Sequence, residues 1–190
     1  MTADAAELRV VAVVGSLRRE SYTRRLVEAL RKLAPTRLKI EIVPIGDLPH
    51  YNEDEETATP PAAWRTFRDR VGQADAVLFA TPEYNRSVPG VLKNAIDVGS
   101  RPYGASVWAG KPAAVISASP GAICGFGANH HLRQSLVFLD MPVLQQPEAY
   151  IGAVHQLMDA EGEIANEQIE QFLRQFLGQF EAWIRRNPAT

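Results

Sequence analysis

Three runs of strand length, Leu8 to Val14, Ala76 to Ala80 and Ala113 to Ala118, are almost wholly apolar, and patterns of helical spacing separate them. A strand that is apolar on both faces must be covered on both, which is the position of a strand in a parallel sheet packed between helices. Leu38 to Pro44 alternates polar with apolar residues and predicts a further strand, and Val143 to Gln146 a fifth. Between them, Leu26, Val27, Leu30 and Leu33 recur at the three-and-four spacing of a helix over Thr23 to Leu33 that Pro35 ends. Trp64, Phe67, Val71 and Ala74 form a second stripe. Pro89 and Gly90 open a third helix carrying Val91, Leu92, Ala95, Ile96 and Val98. A fourth is expected from about Asn129 to Leu139, and a closing helix over Asn166 to Arg186 with Ile169, Phe172, Leu173, Phe176, Phe180 and Ile184 inward. Gly46 to Pro61, rich in acids and prolines, reads as a long surface loop, and Met158 to Gly162 as a hairpin-like turn.

Alternation of strand and helix throughout implies an α/β fold, because right-handed crossovers lay helices on both faces of a parallel sheet. No repeat, low-complexity tract or linker divides the 190 residues, so one doubly wound domain over 1–190 is expected, with residues 1–7 as a flexible tail. In such sheets ligands bind beyond the carboxyl ends of the strands, where the strand order reverses. The loops after the first, third and fourth strands are therefore where chemistry is expected.

In the first of these loops Ser16, Arg18, Ser21 and Thr23 bring hydroxyls and a guanidinium to the start of a helix, where free N–H groups already favour an anion. Hydroxyl donors can surround the oxygens of a terminal phosphate monoester. Helix capping by Ser21 or Thr23 is an equally good reading of this loop alone. The second, T-P-E-Y-N-R-S-V-P-G, is stiffened by two prolines. Its Tyr84 and Asn85 could stack on and hydrogen-bond to a flat heterocycle, and the N–H groups from Glu83 to Asn85 could reach a ring. An ordinary proline-bounded turn accounts for it as well. The third, Ser117 to Gly127, contains Gly121, Gly125 and Gly127, which let backbone come close to a ligand. Three such loops on one sheet edge carry more weight together than any one of them.

Bulk properties narrow the function classes. A net charge of -2 with no Lys/Arg-dense face predicts no nucleic-acid partner. No stretch approaches a membrane span, and the N-terminal residues lack the pattern of a secretory signal, so a cytoplasmic chain is expected. The single cysteine, Cys124, rules out an internal disulfide and suits a reducing compartment. Cys124, His130 and His131 do not predict a metal site, since adjacent helical residues point about 100° apart. Cys124 reads as readily as a packing residue as a reactive thiol. Glu53 to Glu56 reads as solvated loop.

The strings G-S-L-R-x-x-S-Y-T, T-P-E-Y-N-x-S-V-P-G-x-L-K-N-A-I-D and S-x-S-x-G resemble those of the NADPH-dependent FMN reductases, among them the bacterial chromate, quinone and azo reductases. The resemblance runs from about Val10 to Glu148. It implies a flavodoxin-like three-layer sandwich with a five-stranded parallel sheet of order 2-1-3-4-5, and FMN as bound cofactor with NADPH or NADH as co-substrate. By that resemblance Ser16, Arg18, Ser21 and Thr23, with the adjoining Tyr22, surround the FMN phosphate. Pro82, Glu83, Tyr84 and Asn85 border the isoalloxazine, and Ser117 and the turn toward Gly121 close the other side. Such proteins usually carry Asn where Thr23 stands and a small residue where Arg24 stands, and some carry Arg in place of Gly127. D-L-P-H-Y-N matches their loop after the second strand. Lys93, Asn94 and Asp97 lie on the helix they use to dimerise, so a homodimer or a dimer of dimers is implied, with Arg101 approaching the flavin or nicotinamide phosphate of the partner's site. A solvated arginine at a helix C-terminus is the other reading of Arg101.

The expected activity is a ping-pong oxidoreduction, with hydride passing from nicotinamide to flavin N5 and then two electrons to a quinone, chromate, an azo compound or free flavin. No side chain is required as an obligatory acid or base. A flavodoxin-like electron carrier serving a protein partner is the alternative, although such carriers are strongly acidic and this chain is not.

Overall fold

The computed structural model describes residues 6–159 and 162–189, so most of the expected tail lies outside the described residues. Five strands, β1 (Leu8–Val14), β2 (Leu38–Val43), β3 (Ala76–Thr81), β4 (Ala113–Ala118) and β5 (Ala149–Ile151), pair in parallel in the order β2-β1-β3-β4-β5. The helices between and after them are α1 (Tyr22–Leu33), α2 (Ala62–Gly72), α3 (Gly90–Gly99), α4 (Phe126–Phe138) and α5 (Glu167–Arg186). This is the strand order that the sequence resemblance implies. The chain winds outward from β1 to β2, then returns to the other side of β1 to lay down β3, so the loops leaving β1 and β3 diverge and open a crevice between them.

Alternation along the strands distributes the core to two layers. Val10, Ala12 and Val14 of β1 face α1 and α5, where Leu26, Val27, Leu30, Phe176 and Phe180 are buried. Val11 and Val13 face the opposite layer of α2, α3 and α4, with Trp64, Phe67, Leu92, Leu132 and Trp108. Along α5, Leu173, Phe176, Phe180 and Ile184 are buried as expected, joined by Leu177, while Ile169 and Phe172 are half-buried at its start.

Two elements differ from the sequence expectation. The last strand is Ala149–Ile151, not Val143 to Gln146. Val143 and Leu144 do meet β4, through a bridge to Ala113 and a bond from Leu144 N–H to Ala113 O of 2.8 Å. Pro147, which has no N–H, then interrupts the ladder, and the pairing resumes at Ala149 opposite Ile116. Helix α4 begins at Phe126, three residues before the expected Asn129, because Gly125 takes a left-handed N-cap conformation with φ of 74°. The hairpin-like turn is present at its flanks as an antiparallel bridge between Met158 and Ile164.

The long loop after β2 is held more tightly than its composition suggests. Glu53–Glu55 form a single exposed turn, but Glu56 is not solvated. Its carboxylate accepts from both Arg68 Nη1 (2.9 Å) and Arg68 Nη2 (2.6 Å), and each side chain is only 11% exposed. Arg68 also donates through Nε to Val98 O at 2.8 Å, with its guanidinium 5.6 Å from the Trp64 ring centroid. Asn94 on α3 receives the Tyr51 N–H at 2.8 Å and donates to Leu48 and Pro49 carbonyls, so it fastens the D-L-P-H-Y-N segment and is buried rather than presented outward. Removing one partner of a bidentate pair this shielded leaves the other charge without compensation. Arg68→Ala is expected to cost about 3 kcal/mol of stability, read as a shift in the urea midpoint at unchanged slope.

Candidate functional site

The crevice at the β1/β3 reversal is built by close approach of two loops. Gly15 N–H donates to Ala80 O at 2.8 Å, and a Cβ on Gly15 would lie 3.1 Å from Leu92 Cδ2 and 3.4 Å from Pro82 Cδ. A side chain there would press on Leu92 and Pro82, which would have to give by a few tenths of an ångström. Immediately beyond, a cavity of about 220 Å³ opens at the sheet edge. Ser16, Arg18, Ser21, Tyr22 and Thr23 form its first wall, Pro82, Glu83 and Tyr84 the second, and Ala118, Ser119 and Pro120 the third.

The first wall does two jobs. Ser21 is the N-cap of α1, its Oγ accepting from Arg24 N–H at 3.1 Å, so the capping reading of this residue is correct. It also faces the cavity, as does the buried Thr23. Arg18 is exposed at the rim with its guanidinium carbon 6.0 Å from the Tyr22 ring. The second wall is a two-residue hairpin: Tyr84 N–H donates to Ser87 O (3.1 Å) and Ser87 N–H to Tyr84 O (2.9 Å), with Asn85 and Arg86 at φ of 51° and 63°. The Tyr84 N–H is therefore engaged inside the turn and not free for a ring; among the described residues those of Glu83 and Asn85 have no partner. Asn85 itself stands outside the cavity lining.

Glu83 couples this wall to the next helix. Its carboxylate, with the side chain 12% exposed, accepts the Ala128 N–H at 3.0 Å in the first turn of α4 and pairs with Arg86 at 3.3 Å. Gly127 makes the contact possible, since a Cβ there would sit 2.8 Å from Arg86 O. Ser117 lies beneath the third wall, fully buried. Its hydroxyl donates to Cys124 O at 2.8 Å and accepts from Asn129 Nδ2 at 3.3 Å, tying the glycine loop down. Gly121 stands beyond the wall, its N–H bonded to Ser119 Oγ at 3.1 Å. The lining on this side comes instead from Ala118, Ser119 and Pro120, whose signal in the sequence is their place directly at the end of β4 within the S-A-S-P-G run.

Arg101 follows the C-terminal end of α3, the end away from the crevice, with Nη1 near Ser100 O and Oγ. His130 and His131 turn to different partners, His130 Nε2 to the Tyr150 hydroxyl at 2.9 Å and His131 Nδ1 to Ser87 Oγ at 3.0 Å. Burial, aided by Glu148, pushes the Tyr150 hydroxyl up to about 12, so it stays protonated across the working range of pH. Among the described residues no three His, Cys, Asp or Glu side chains converge, and no helix is long and apolar enough to cross a membrane. Arg18, Arg19, Arg24 and Arg25 crowd the loop and first turn of α1, and Lys32 follows two turns later. They are close in the sequence, R-R-E-S-Y-T-R-R over 18–25, with Glu20 and Glu28 among them.

Sheet order 2-1-3-4-5 with a crevice at the β1/β3 reversal defines a flavodoxin-like α/β protein that binds its ligand at that edge. Its hydroxyl- and arginine-bearing wall fits a phosphate monoester, and its proline- and tyrosine-bearing wall fits a planar ring, so the residues present suit FMN. More narrowly, the chain belongs to the NADPH-dependent FMN reductase family, which it matches over residues 8–156, and it is an oxidoreductase that works with FMN and NAD(P)H. It is 61% identical over 181 residues to a quinone reductase of Pseudomonas putida, covering 95% of this chain and 97% of that one. It is 46% identical over 178 residues to a 2-hydroxy-1,4-benzoquinone reductase of Burkholderia sp, covering 94% and 97%. The solved structure of FerB, a flavoenzyme NAD(P)H:(acceptor) oxidoreductase from Paracoccus denitrificans, superposes with a TM-score of 0.90 at 44% identity, covering 95% of this chain and 100% of that one.

Glu83→Ala removes a charged acceptor from an N-terminus that has no side-chain cap of its own. It is expected to cost about 1 kcal/mol and to raise amide exchange at Ala128 while leaving the exchange of β1 unchanged.

Proposed function

We propose that this protein is an NAD(P)H-dependent quinone reductase in which Ser16, Arg18, Ser21 and Thr23, with Tyr22, hold the phosphate of FMN. The observation that carries the reading is the cavity itself, which joins these side chains to Pro82, Glu83 and Tyr84 across a single opening at the strand reversal. The names of the relatives at 61% and 46% identity point to quinones as acceptors. When bound, FMN supplies the two-electron chemistry, accepting hydride from nicotinamide and passing electrons on to the acceptor.

The chain's own residues bind and orient. The hydroxyls and the Arg18 guanidinium neutralise the phosphate. Pro82 and Tyr84 border the ring, Asn85 shapes the hairpin turn behind them, and Glu83 keeps that border fixed by anchoring it to α4. The Glu83 N–H, which has no partner among the described residues, would serve as a donor to negative charge on the ring edge. Ser117 and Gly121 act by shaping the third wall. The half-exposed Tyr84 leaves the cleft open on one side, which suits acceptors of several shapes, flat quinones and azo compounds as well as the compact chromate ion.

The same reading takes the chain as one domain, since both helical layers pack on a single sheet. It places the protein in the cytoplasm, where nicotinamide co-substrates are at hand and the Cys124 thiol stays reduced. It also includes a homodimer or dimer of dimers through α3 and α4. The Lys93–Asp97 ion pair lies on the outer face of α3, and Val137 and Phe138 of α4 are 74% and 81% exposed. Arg101, remote from its own crevice, would then serve the partner's.

The purified protein is expected to be yellow and to oxidise NADPH or NADH when a benzoquinone is present. A yellow protein that passes electrons only singly to a protein acceptor would be a carrier, and a colourless one that ignores added FMN would end both readings. Arg18→Ala should weaken FMN roughly tenfold to a hundredfold in a fluorescence titration with the melting temperature unchanged. Sedimentation velocity at micromolar concentration should show a dimer or larger, shifted toward monomer by Phe138→Glu; a monomeric parent protein removes the role given to Arg101.

A further inference from the structure

Two neighbouring helices of one layer, α3 and α4, each have an exposed aromatic side chain at both ends. Tyr84 stands in the turn before α3 and Tyr103 in the loop after it, while Phe126 opens α4 and Phe138 closes it. Both helices connect parallel strands and so run in the same direction. Tyr84 and Phe126 therefore lie at the crevice end of the layer, and Tyr103 and Phe138 at the other. Large rings left in water at both ends of one face mark a surface that is covered in the working protein.

Tyr103 is the most exposed of them, at 90%, yet it is firmly held. Ala105 N–H donates to Pro102 O at 3.0 Å, closing a turn with Tyr103 at its second position and Gly104, at φ of 86°, at its third. Behind the turn Val107 N–H donates to Gly99 O at 2.9 Å, and the buried Trp108 donates through Nε1 to Ile96 O at 2.9 Å. The ring has lost the freedom of a mobile loop without the burial that would offset that loss.

The occupant that fits this face is a second copy of the chain. A two-fold axis across the middle of α3 sets the helix antiparallel to its copy, and each end then meets the opposite end of the partner. Lys93 and Asp97 flank that midpoint on the outer face, so each comes beside the partner's residue of opposite charge. Tyr103, four residues beyond the end of α3, comes beside the Tyr84 turn that precedes the partner's α3. A ten-residue helix is only about 15 Å long, so one interface spans both ends. Tyr84 is half-exposed and leaves the cleft open on its side, and a second ring there completes a slot in which a flat acceptor stacks. We infer that Tyr103 enters the flavin cleft of a second copy and forms the outer aromatic wall for a quinone, an inference that rests on the dimeric quinone reductase proposed above.

Three measurements test it. In steady-state assays on the flavin-loaded dimer, Tyr103→Ala should lower kcat/KM for a benzoquinone, relative to that for the compact ferricyanide ion, by about threefold to tenfold through a higher quinone KM. Tyr103→Phe, which keeps the ring, should restore the parent ratio. Mixed dimers locate the ring when they are isolated through a different tag on each chain and held at an FMN concentration that fills only clefts retaining Arg18. An Arg18→Ala chain paired with a Tyr103→Ala chain should show the parent quinone KM, because the filled cleft receives Tyr103 from its partner. A parent chain paired with a chain carrying both substitutions should show the raised KM. Without flavin, Tyr84→Cys combined with Tyr103→Cys in a Cys124→Ser background should be joined into covalent dimers by a short bis-maleimide, and neither single-cysteine variant should be. Parent kinetics in the Tyr103→Ala dimer, a KM that follows Tyr103 of the filled chain itself, or a double-cysteine protein that gives no covalent dimer would each overturn the assignment. Covalent dimers of a protein that reduces no quinone would instead count against the proposed function and leave Tyr103 at the partner's cleft.

Discussion

Parallel pairing of β1 with β3 is the constraint on which the site depends. The register that sets Val14 beside Ala80 ends both strands at the same level, and one further bond, from Gly15 N–H to Ala80 O, carries the pairing into the loops. Because β2 lies on the far side of β1, the two loops then turn to opposite layers of the sandwich. The hydroxyl-bearing wall follows α1 to one face, the tyrosine-bearing wall follows α3 to the other, and the gap between them is the cleft. Neither loop needs to be stable alone, since β3 along its length and β1 from Val10 to Val14 are buried in the centre of the sheet.

Each wall is then braced by a polar contact to a distant part of the chain. Glu83 reaches 45 residues along the sequence to cap α4, Asn94 holds the loop after β2, and Ser117 and Asn129 clasp the glycine-rich loop. Buried groups of this kind carry a desolvation cost that only complete hydrogen bonding offsets, and no buried side-chain nitrogen or oxygen among the described residues lacks a partner. The cleft is preformed for this reason, which lowers the ordering cost that a bound nucleotide would otherwise have to overcome.

Much of this was legible in the residues alone. Apolar runs gave the first four strands to within a residue, since an all-buried strand and an amphipathic helix have distinct periods, and the residues expected on the phosphate wall all meet in one cavity. What escaped were features set by contacts remote in sequence. The start of α4 depends on a carboxylate from another loop and on a left-handed Gly125. The position of β5 depends on where a neighbouring strand offers partners and where Pro147 withholds a donor. Glu56 looked solvated because nothing near it in the chain announces Arg68. Ser117 and Gly121 belong to the right loop, but strand alternation turns the Ser117 hydroxyl under the wall.

The contact between Glu83 and the first turn of α4 has one more implication. With Gly127 packed against Arg86 O and the carboxylate bonded to Ala128, the tyrosine turn and α4 form a single lever with little slack. A rotation or translation of α4 imposed at its outer end, where Val137 and Phe138 project into solvent, is carried along the helix to the rim of the cleft. The rim of the cleft is thus tied through one helix to the exposed pair Val137 and Phe138 at its far end.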